Sequence, residues 1–177
     1  MSQALPSEVK ALRRAVAREL GTITPSVTEY GLNLFPCQAT LEDGSVHSRV
    51  YVVEAAAYIR EWGVWPWDDC EKTWLPAEQI VSVVSSPLRL PAKFANAVYA
   101  EGESGMGYFA FSVDFAVGPR RYYVTGNAVD FPSWWVGVDP ADIVGVNPHD
   151  RDPDHHHRSP TASESSAEYA WSPFRRD

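Results

Sequence analysis

The N-terminal part of the chain carries an apolar stripe at helical spacing. Its members recur every three or four positions: Val9, Leu12, Val16 and Leu20. This spacing predicts a helix over residues 7–20, with Ser7 as its N-cap and Gly21 just past its end. A second, shorter helix is predicted from Pro91 to about Ala100, because proline is tolerated in the first turn of a helix.

Each predicted helix is followed by residues that alternate between two faces, the pattern of a half-buried strand. In the second half of the chain one face is entirely apolar: Phe109, Phe111, Val113 and Phe115. A turn follows each strand, at Gly44 and Gly118, and runs rich in Tyr and Val at 49–53 and 121–125 return as hairpin partners. The sequence therefore predicts two β-hairpins, each preceded by a helix.

The two halves of the chain resemble each other in the order of these features. Residues 29–44 align without gaps on residues 103–118, at a constant offset of 74. An Ile-Val-x-Val run at 80–83 has a counterpart at 143–146 and predicts a last strand in each half. We interpret this order as an internal duplication, in which each unit reads helix, strand, strand, long loop, strand.

The predicted fold is α+β, built from these two tandem units and mainly antiparallel in its β-structure. Residues 1–148 are expected to form a single globular domain, with repeats at about 5–87 and 90–148. Beyond it, Asp, Arg, Pro, Ser and His replace periodic apolar residues, so residues 149–177 are predicted to be a disordered tail. One alternative is a docking segment that folds on a partner through the late aromatics Tyr169, Trp171 and Phe174.

The net charge, the hydropathy and the cysteine content of the chain each argue against particular classes of protein. The 15 Lys and Arg residues against 23 Asp and Glu residues give a formal charge of −8, which argues against a nucleic-acid binder. No apolar run is long enough to span a bilayer, so we expect a soluble, cytoplasmic protein that does not enter membranes. The two cysteines, Cys37 and Cys70, form neither a disulfide framework nor a metal motif, and no cofactor is predicted. The oligomeric state stays open.

Tryptophan is concentrated in two loops at corresponding places of the two units. The aromatic side chains are Trp62, Trp65, Trp67 and Trp74 in the first loop, and Phe131, Trp134 and Trp135 in the second. Large rings with an indole donor are common at binding hot spots. The functional hypothesis is an acid-rimmed recognition surface, whose binding residues are Trp62, Trp65, Trp67, Asp68, Asp69, Asp130, Trp134 and Trp135. The alternative is that these rings close the ends of two small cores.

The glycine-rich turn at 102–107 fits no catalytic motif. A phosphate loop needs Lys followed by Ser or Thr, and a nucleophile elbow needs glycine two residues after Ser104. We therefore predict no catalytic residue there and interpret Gly31 and Gly105, which align across the units, as positions of positive φ. An acidic cleft between the two repeats, with a raised carboxyl pKa, is the competing hypothesis, and its candidate residues are Glu29, Glu103 and Asn127.

The tail contains good ligands for divalent metals: His149, Asp150, Asp152, Asp154, His155, His156 and His157. A preformed site needs support from surrounding groups, which a flexible run lacks. We therefore predict adventitious binding at most, and no functional metal.

Together these features favour a non-enzymatic binding or regulatory module, such as an adaptor, inhibitor or immunity-type protein. Its acidic, Trp-rich loops would recognise a protein partner, and the acidic balance favours a basic one through electrostatic steering. The alternative is a small-molecule-binding protein or hydrolase that uses the acidic cleft between the repeats. A purely structural role is the third reading.

Overall fold

The structure is a computed structural model that describes residues 9–65, 67–68, 72–152 and 169–176. In chain order its α-helices and β-strands are α1 (Arg14–Leu20), β1 (Ser26–Val27), β2 (Asn33–Leu41), β3 (Val46–Glu54), α2 (Ala55–Trp62), β4 (Thr73–Trp74), β5 (Ile80–Ser85), α3 (Ala92–Ala100), β6 (Phe109–Phe115), β7 (Arg121–Thr125), β8 (Ile143–Pro148) and β9 (Ala170–Phe174). This is an α+β fold in which most strand pairs are antiparallel, as predicted.

The chain divides into two compact units. Unit 1 comprises Met1–Pro25, Tyr30–Pro87 and Glu168–Asp177, and unit 2 comprises Ser26–Glu29 and Leu88–Ala167. The division therefore assigns the last residues of the chain to the same unit as the first.

Unit 1 contains a five-strand arrangement in the order β5–β2–β3–β9–β4. The hairpin β2–β3 and the pair β2–β5 are antiparallel, whereas β9 runs parallel to both β3 and β4. Alternate residues of β3 serve opposite faces of this sheet. Val50 and Val52 pack in a cluster with Val16 and Leu20 of α1, while Tyr51 stacks on Trp171 on the other face.

Unit 2 has a three-stranded antiparallel sheet in the order β7–β6–β8, together with α3. The strand β6 is buried on both faces over residues 109–113. Its Ser112, although polar, is fully buried because its hydroxyl donates to Asp150 (2.7 Å) and accepts from Asn147 (3.1 Å). Buried polar groups of this kind are tolerated when their hydrogen bonds are satisfied.

The central strands of the two units are paired in the same register. Cys37 of β2 pairs with Ser85, and its counterpart in the alignment, Phe111 of β6, pairs with Pro148. The same relation holds along both strands, up to a register shift that falls before Leu41 in unit 1 and before Phe115 in unit 2. The hairpins differ in one respect, because a bulge interrupts β2–β3 and none interrupts β6–β7.

The first helix is shorter than the periodicity predicts. It begins at Arg14 rather than at residue 7, and Ser7 lies outside the described residues. Residues preceding it are held extended by the end of the chain, since Ala11 bridges Arg175 and the Lys10 carbonyl accepts a hydrogen bond from the Arg175 amide (2.9 Å). The apolar stripe is nevertheless used, because Val9 is buried without being helical.

The prediction of a disordered tail from residue 149 is wrong for the described parts of that range. Residues 149–151 make side-chain hydrogen bonds in unit 2, and β9 lies between β3 and β4 in unit 1. Trp171 is fully buried there. The reason is that β9 buries the Trp171 ring and forms backbone hydrogen bonds with β3. Both interactions stabilise the strand although the sequence around it is polar. Residues 153–168 lie outside the described part of the chain.

Two local predictions also need correction. The segment taken as a long loop after β3 contains α2, which ends where Gly63 adopts a left-handed conformation (φ 69°). Of the two aligned glycines, Gly31 has positive φ (85°) as predicted, but Gly105 does not. The glycines of positive φ in that turn are instead Gly102 (φ 75°) and Gly107 (φ 77°).

Candidate functional site: aromatic clusters of the two units

Three tryptophans of unit 1 form a continuous row, which we call the tryptophan surface: Trp65, Trp67 and Trp74. The rings of Trp65 and Trp67 are stacked, with centroids 5.1 Å apart and planes 7° apart. Trp74 meets Trp67 edge-on at 5.5 Å and is 36% exposed, because it lies on the two-residue edge strand β4. Trp65 and Trp67 are half-buried, so part of each ring contacts solvent.

Acidic character at the tryptophan surface comes from Asp68. Its side chain is exposed, and its backbone amide donates to the Trp65 carbonyl (3.0 Å), which closes the turn between the two stacked rings. Asp69, which the sequence also assigns to this rim, lies outside the described residues. The structure thus brings together Trp65, Trp67 and Asp68 of the predicted set and adds Trp74.

Trp62 belongs to a different cluster. It is the last residue of α2 and meets Tyr58 edge-on at 4.4 Å and Trp171 edge-on at 5.1 Å. The ammonium group of Lys72 lies 5.1 Å from the Trp62 ring centroid. The sequence could not indicate this cluster, because Trp171 lies in the segment that was predicted to be disordered.

The tryptophans of unit 2 are anchored to their own unit. The Trp134 indole donates to the Leu88 carbonyl (2.7 Å), and its ring packs edge-on against Tyr123 at 5.2 Å. Trp135 is half-buried, and the Arg121 guanidinium lies 5.5 Å from its ring centroid. Burial raises the pKa of the Tyr123 phenol to about 12. These contacts favour the alternative in which the unit 2 rings close a core.

Asp130 is not part of an exposed rim, and its assignment as a surface acid is wrong. The side chain is fully buried, and its Oδ1 accepts hydrogen bonds from Ser26 Oγ (2.6 Å) and from the Arg89 guanidinium (2.9 Å). Arg89 is itself only 6% exposed. Two buried opposite charges that share a hydroxyl neighbour form a polar centre in the core of unit 2.

The three residues assigned to an acidic cleft all belong to unit 2. Glu29 is exposed, and its carboxylate lies close to the backbone of Gly102. A Cβ placed on that glycine would be 3.3 Å from Glu29 Oε2. The carboxylate of Glu103 accepts from the Gly107 amide (2.9 Å), and the backbone carbonyl of Asn127 accepts from the Tyr99 hydroxyl (3.0 Å). The Glu103 contact stabilises a local turn, whereas the Asn127 carbonyl receives a side chain from 28 residues away.

One pairing of chemically capable residues was missed by sequence reasoning. Ser104 Oγ lies 2.9 Å from Nδ1 of His149, and His149 Nε2 lies 3.0 Å from the Glu101 carbonyl. A carbonyl only accepts, so Nε2 carries a proton and donates to Glu101. Ser104 Oγ also accepts from the Ala110 amide (2.9 Å), which holds the hydroxyl within the turn. Nothing local in the sequence signals a contact across 45 residues.

His149 has the positive φ (60°) that non-glycine residues rarely adopt. Together with the bonds from Arg151 to the Ser104 carbonyl (2.9 Å) and to the Tyr108 hydroxyl (2.8 Å), it ties the segment after β8 to the glycine-rich turn. We therefore assign the Ser104–His149 pair to holding this turn.

Within the described ranges, His, Cys, Asp and Glu side chains form no group of three or more that could hold a metal ion. The histidine triplet at 155–157 lies outside those ranges. None of the helices in the described part of the chain has the length and apolar character needed to cross a membrane.

Comparisons with protein-family models, with curated proteins and with solved structures gave no match.

Proposed function

We propose that this protein is a binding module that engages a protein partner through the tryptophan surface. The observation that carries the proposal is the row of Trp65, Trp67 and Trp74, in which Trp65 stacks on Trp67, Trp74 meets Trp67 edge-on, and all three rings are only partly covered. Partly covered tryptophans offer large apolar area with little loss of conformational freedom on binding, which makes them frequent hot spots.

Two further features support a protein as the ligand. Trp74 lies on β4, an edge strand of the unit 1 arrangement, and an edge strand presents backbone groups to which a partner segment can pair. Asp68 is exposed beside the stacked rings, and the chain has a formal charge of −8. Both favour a partner with a basic contact surface, because opposite potentials accelerate association.

The test compares single substitutions inside and outside the tryptophan surface. Wild-type protein and the variants Trp67→Ala and Tyr30→Ala are used to retain partners from an extract of the native host, followed by affinity measurement with the purified partner. Tyr30 is the matched aromatic control, being 79% exposed in the same unit but outside the row. We expect Trp67→Ala to lose about 2 kcal/mol of binding free energy, roughly a 30-fold weaker Kd.

The thermal midpoint of each variant decides between binding and core roles. Trp67→Ala should unfold close to the wild-type temperature, because a half-buried ring supports the fold less than a fully buried one. If Trp67→Ala binds the partner as tightly as Tyr30→Ala does, the tryptophan surface is not the recognition site.

We also propose that the two units arose by internal duplication. The equivalent registers of β2 with β5 and of β6 with β8 support this proposal, as do the matching backbone bonds from the Glu42 amide to the Gln79 carbonyl and from the Ala116 amide to the Asp142 carbonyl (both 2.9 Å). On this proposal the binding surface of unit 1 was added to a shared framework, since the rings of unit 2 are engaged in its core.

A further inference from the structure

Unit 1 contains a cleft of about 340 Å³ beside α1, which we call the α1 cleft. Its floor is apolar and consists of four side chains from α1, the segment before it, β2 and β9: Leu12, Leu20, Phe35 and Phe174. Leu20 and Phe174 are buried, whereas Leu12 and Phe35 are half-buried and pack against the same hydrophobic cluster. Clefts of this size with a mainly apolar lining are typical of sites for small ligands.

The rim of the α1 cleft carries positive charge. Arg175 and Arg176 both line the cleft and are both exposed. Arg176 Nε lies 3.6 Å from Glu54 Oε2, so the charge of Arg176 is partly balanced. Among the described residues no carboxylate forms an ion pair with Arg175, whose backbone amide donates to the Lys10 carbonyl (2.9 Å). A guanidinium at the edge of an apolar cleft suits a carboxylate ligand, because it presents two parallel donors to the two oxygens.

The segments that line the cleft are basic, although the chain as a whole is acidic. Residues 9–21 and 174–176 contain six of the 15 Lys and Arg residues and a single acidic residue, Glu19. The Glu19 carboxylate is engaged with β5, where it accepts from the Val83 amide (2.8 Å) and the Ser82 hydroxyl (3.0 Å). In a chain of formal charge −8, this concentration of cations gives the α1 cleft a local positive potential that attracts anions.

A second cleft of unit 1 has a similar volume, about 370 Å³, but lacks this charge pattern. Its charged lining residues are Arg60 and Glu61, one of each sign. The second cleft therefore has no net preference for an anion. Of the two clefts, the α1 cleft alone combines an apolar floor with a rim of two arginines.

We propose that the α1 cleft binds an amphipathic anion, an unbranched apolar chain that ends in a carboxylate, as in a medium-chain fatty acid. The apolar chain lies against Leu12, Phe35 and Phe174, and the carboxylate accepts hydrogen bonds from Arg175. The inference stands independently of the tryptophan surface, with which the α1 cleft shares no residue.

The concave shape of the α1 cleft favours a free molecule over a membrane surface. A segment that binds the surface of a bilayer presents its apolar side chains outward, where they enter the lipid. In the α1 cleft the large apolar side chains are recessed, and the exposed positions are Ala17, Gly21 and the two arginines. A single acyl chain reaches the recessed side chains, whereas a bilayer contacts only the rim.

The test is an NMR titration of the full chain that follows the amide signals of Gly21 and Arg175, which line the cleft. The ligands are octanoate, hexanoate and the neutral 1-octanol, each below the concentration at which it forms micelles or separates. We expect octanoate to bind about fivefold more tightly than 1-octanol, which corresponds to about 1 kcal/mol for an exposed ion pair. Octanoate should also bind more tightly than hexanoate, by up to about fourfold for each additional methylene that is buried.

Two pairs of variants locate the site. Ala17→Leu places a larger side chain at the cleft and should weaken octanoate binding at least about tenfold, whereas Ala15→Leu, at an exposed position of the same helix outside the cleft, should leave it unchanged. Arg175→Gln should remove most of the preference for octanoate over 1-octanol. Its matched control is Arg60→Gln, which removes an exposed arginine of the other cleft and should keep that preference.

Two further arms test other occupants. One is sedimentation with phosphatidylglycerol vesicles, and the other is octanoate titration of a variant that lacks residues 2–8. Binding to the vesicles without binding of monomeric octanoate would identify a membrane contact and overturn the proposal. Octanoate binding that is gained only in the shortened variant would mean that the N-terminal residues of the chain are the natural occupant, and would also overturn it.

The main titration decides the rest. A fivefold preference for octanoate that is lost in Arg175→Gln and kept in Arg60→Gln supports the proposal. Equal affinities for octanoate and 1-octanol, or for octanoate and hexanoate, overturn it. Thermal midpoints show whether Ala17→Leu folds. If it does not fold, the comparison of the two arginine variants decides, because both positions are exposed.

Discussion

The buried ion pair of unit 2 gives the most demanding test of the structure. Asp130 is fully buried, and its carboxylate accepts hydrogen bonds from Arg89 (2.9 Å) and Ser26 (2.6 Å). The substitution Asp130→Ala leaves the Arg89 guanidinium, 6% exposed, without its countercharge. Removing one partner of a buried pair destabilises proteins by about 3–5 kcal/mol, because the remaining charge stays desolvated.

This loss is measurable in a thermal or urea unfolding curve. At roughly 2 to 4 °C per kcal/mol for a chain of this size, Asp130→Ala should lower the midpoint by on the order of 10 °C. The double variant Asp130→Leu with Arg89→Met, which removes both charges and keeps apolar volume, should recover much of that loss. Asp114→Ala is the matched control, since Asp114 pairs with Arg120 at the surface and should move the midpoint little.

The results that would refute this reasoning are specific. An Asp130→Ala midpoint as close to wild type as that of Asp114→Ala would mean that the pair is solvated. A double variant less stable than Asp130→Ala would mean that the charges are required for more than compensating each other.

Three further predictions address the rest of the fold. Trp171→Ala should destabilise the protein by about 3–5 kcal/mol, because the ring is fully buried, and a midpoint unchanged by this substitution would restore the disordered-tail interpretation. Burial raises the pKa of Tyr123 to about 12, above its unfolded value near 10. The contribution of the neutral phenol to stability is therefore fully present below pH 10 and is lost as pH rises towards 12. Tyr123→Phe should show a smaller fall in the free energy of unfolding across that range, measured by urea titration at each pH. Gly44→Ala should cost about 1 kcal/mol at φ 82°, although no atom lies within 4 Å of the new methyl group, and D-alanine introduced there by chemical synthesis should cost less; equal midpoints for the two would contradict a backbone origin.

Local pattern was sufficient where neighbouring residues along the chain decide the structure. Alternation at 109–113 and a turn at Gly118 specify the hairpin β6–β7, and proline before an apolar run specifies the start of α3. These elements depend on backbone preference and on the periodicity of apolar residues, both of which are read at short range. The concentration of aromatic residues around Trp65 and Trp67 was likewise identified from the sequence.

Pattern failed where a partner distant in sequence decides the structure. The stripe of Val9 and Leu12 has helical spacing, yet pairing of Ala11 with Arg175 keeps that segment extended. Asp130 looks like an acidic rim residue until Ser26 and Arg89, 104 and 41 residues away, enclose it. In each case a contact between residues far apart in the sequence outweighs the local structural preference of the segment.

By itself, the sequence determined the α+β class, both hairpins and the aromatic character of the loops, because these follow from periodicity and composition. Only the tertiary structure decided which aromatics are exposed and which are enclosed. It inserts Trp171 beside Tyr51 and Trp62 through a parallel strand at the end of the chain, and thereby places Trp62 in a cluster separate from the tryptophan surface. The physical reason is that burial is a property of the whole packed chain, so one late strand changes the environment of residues more than a hundred positions earlier.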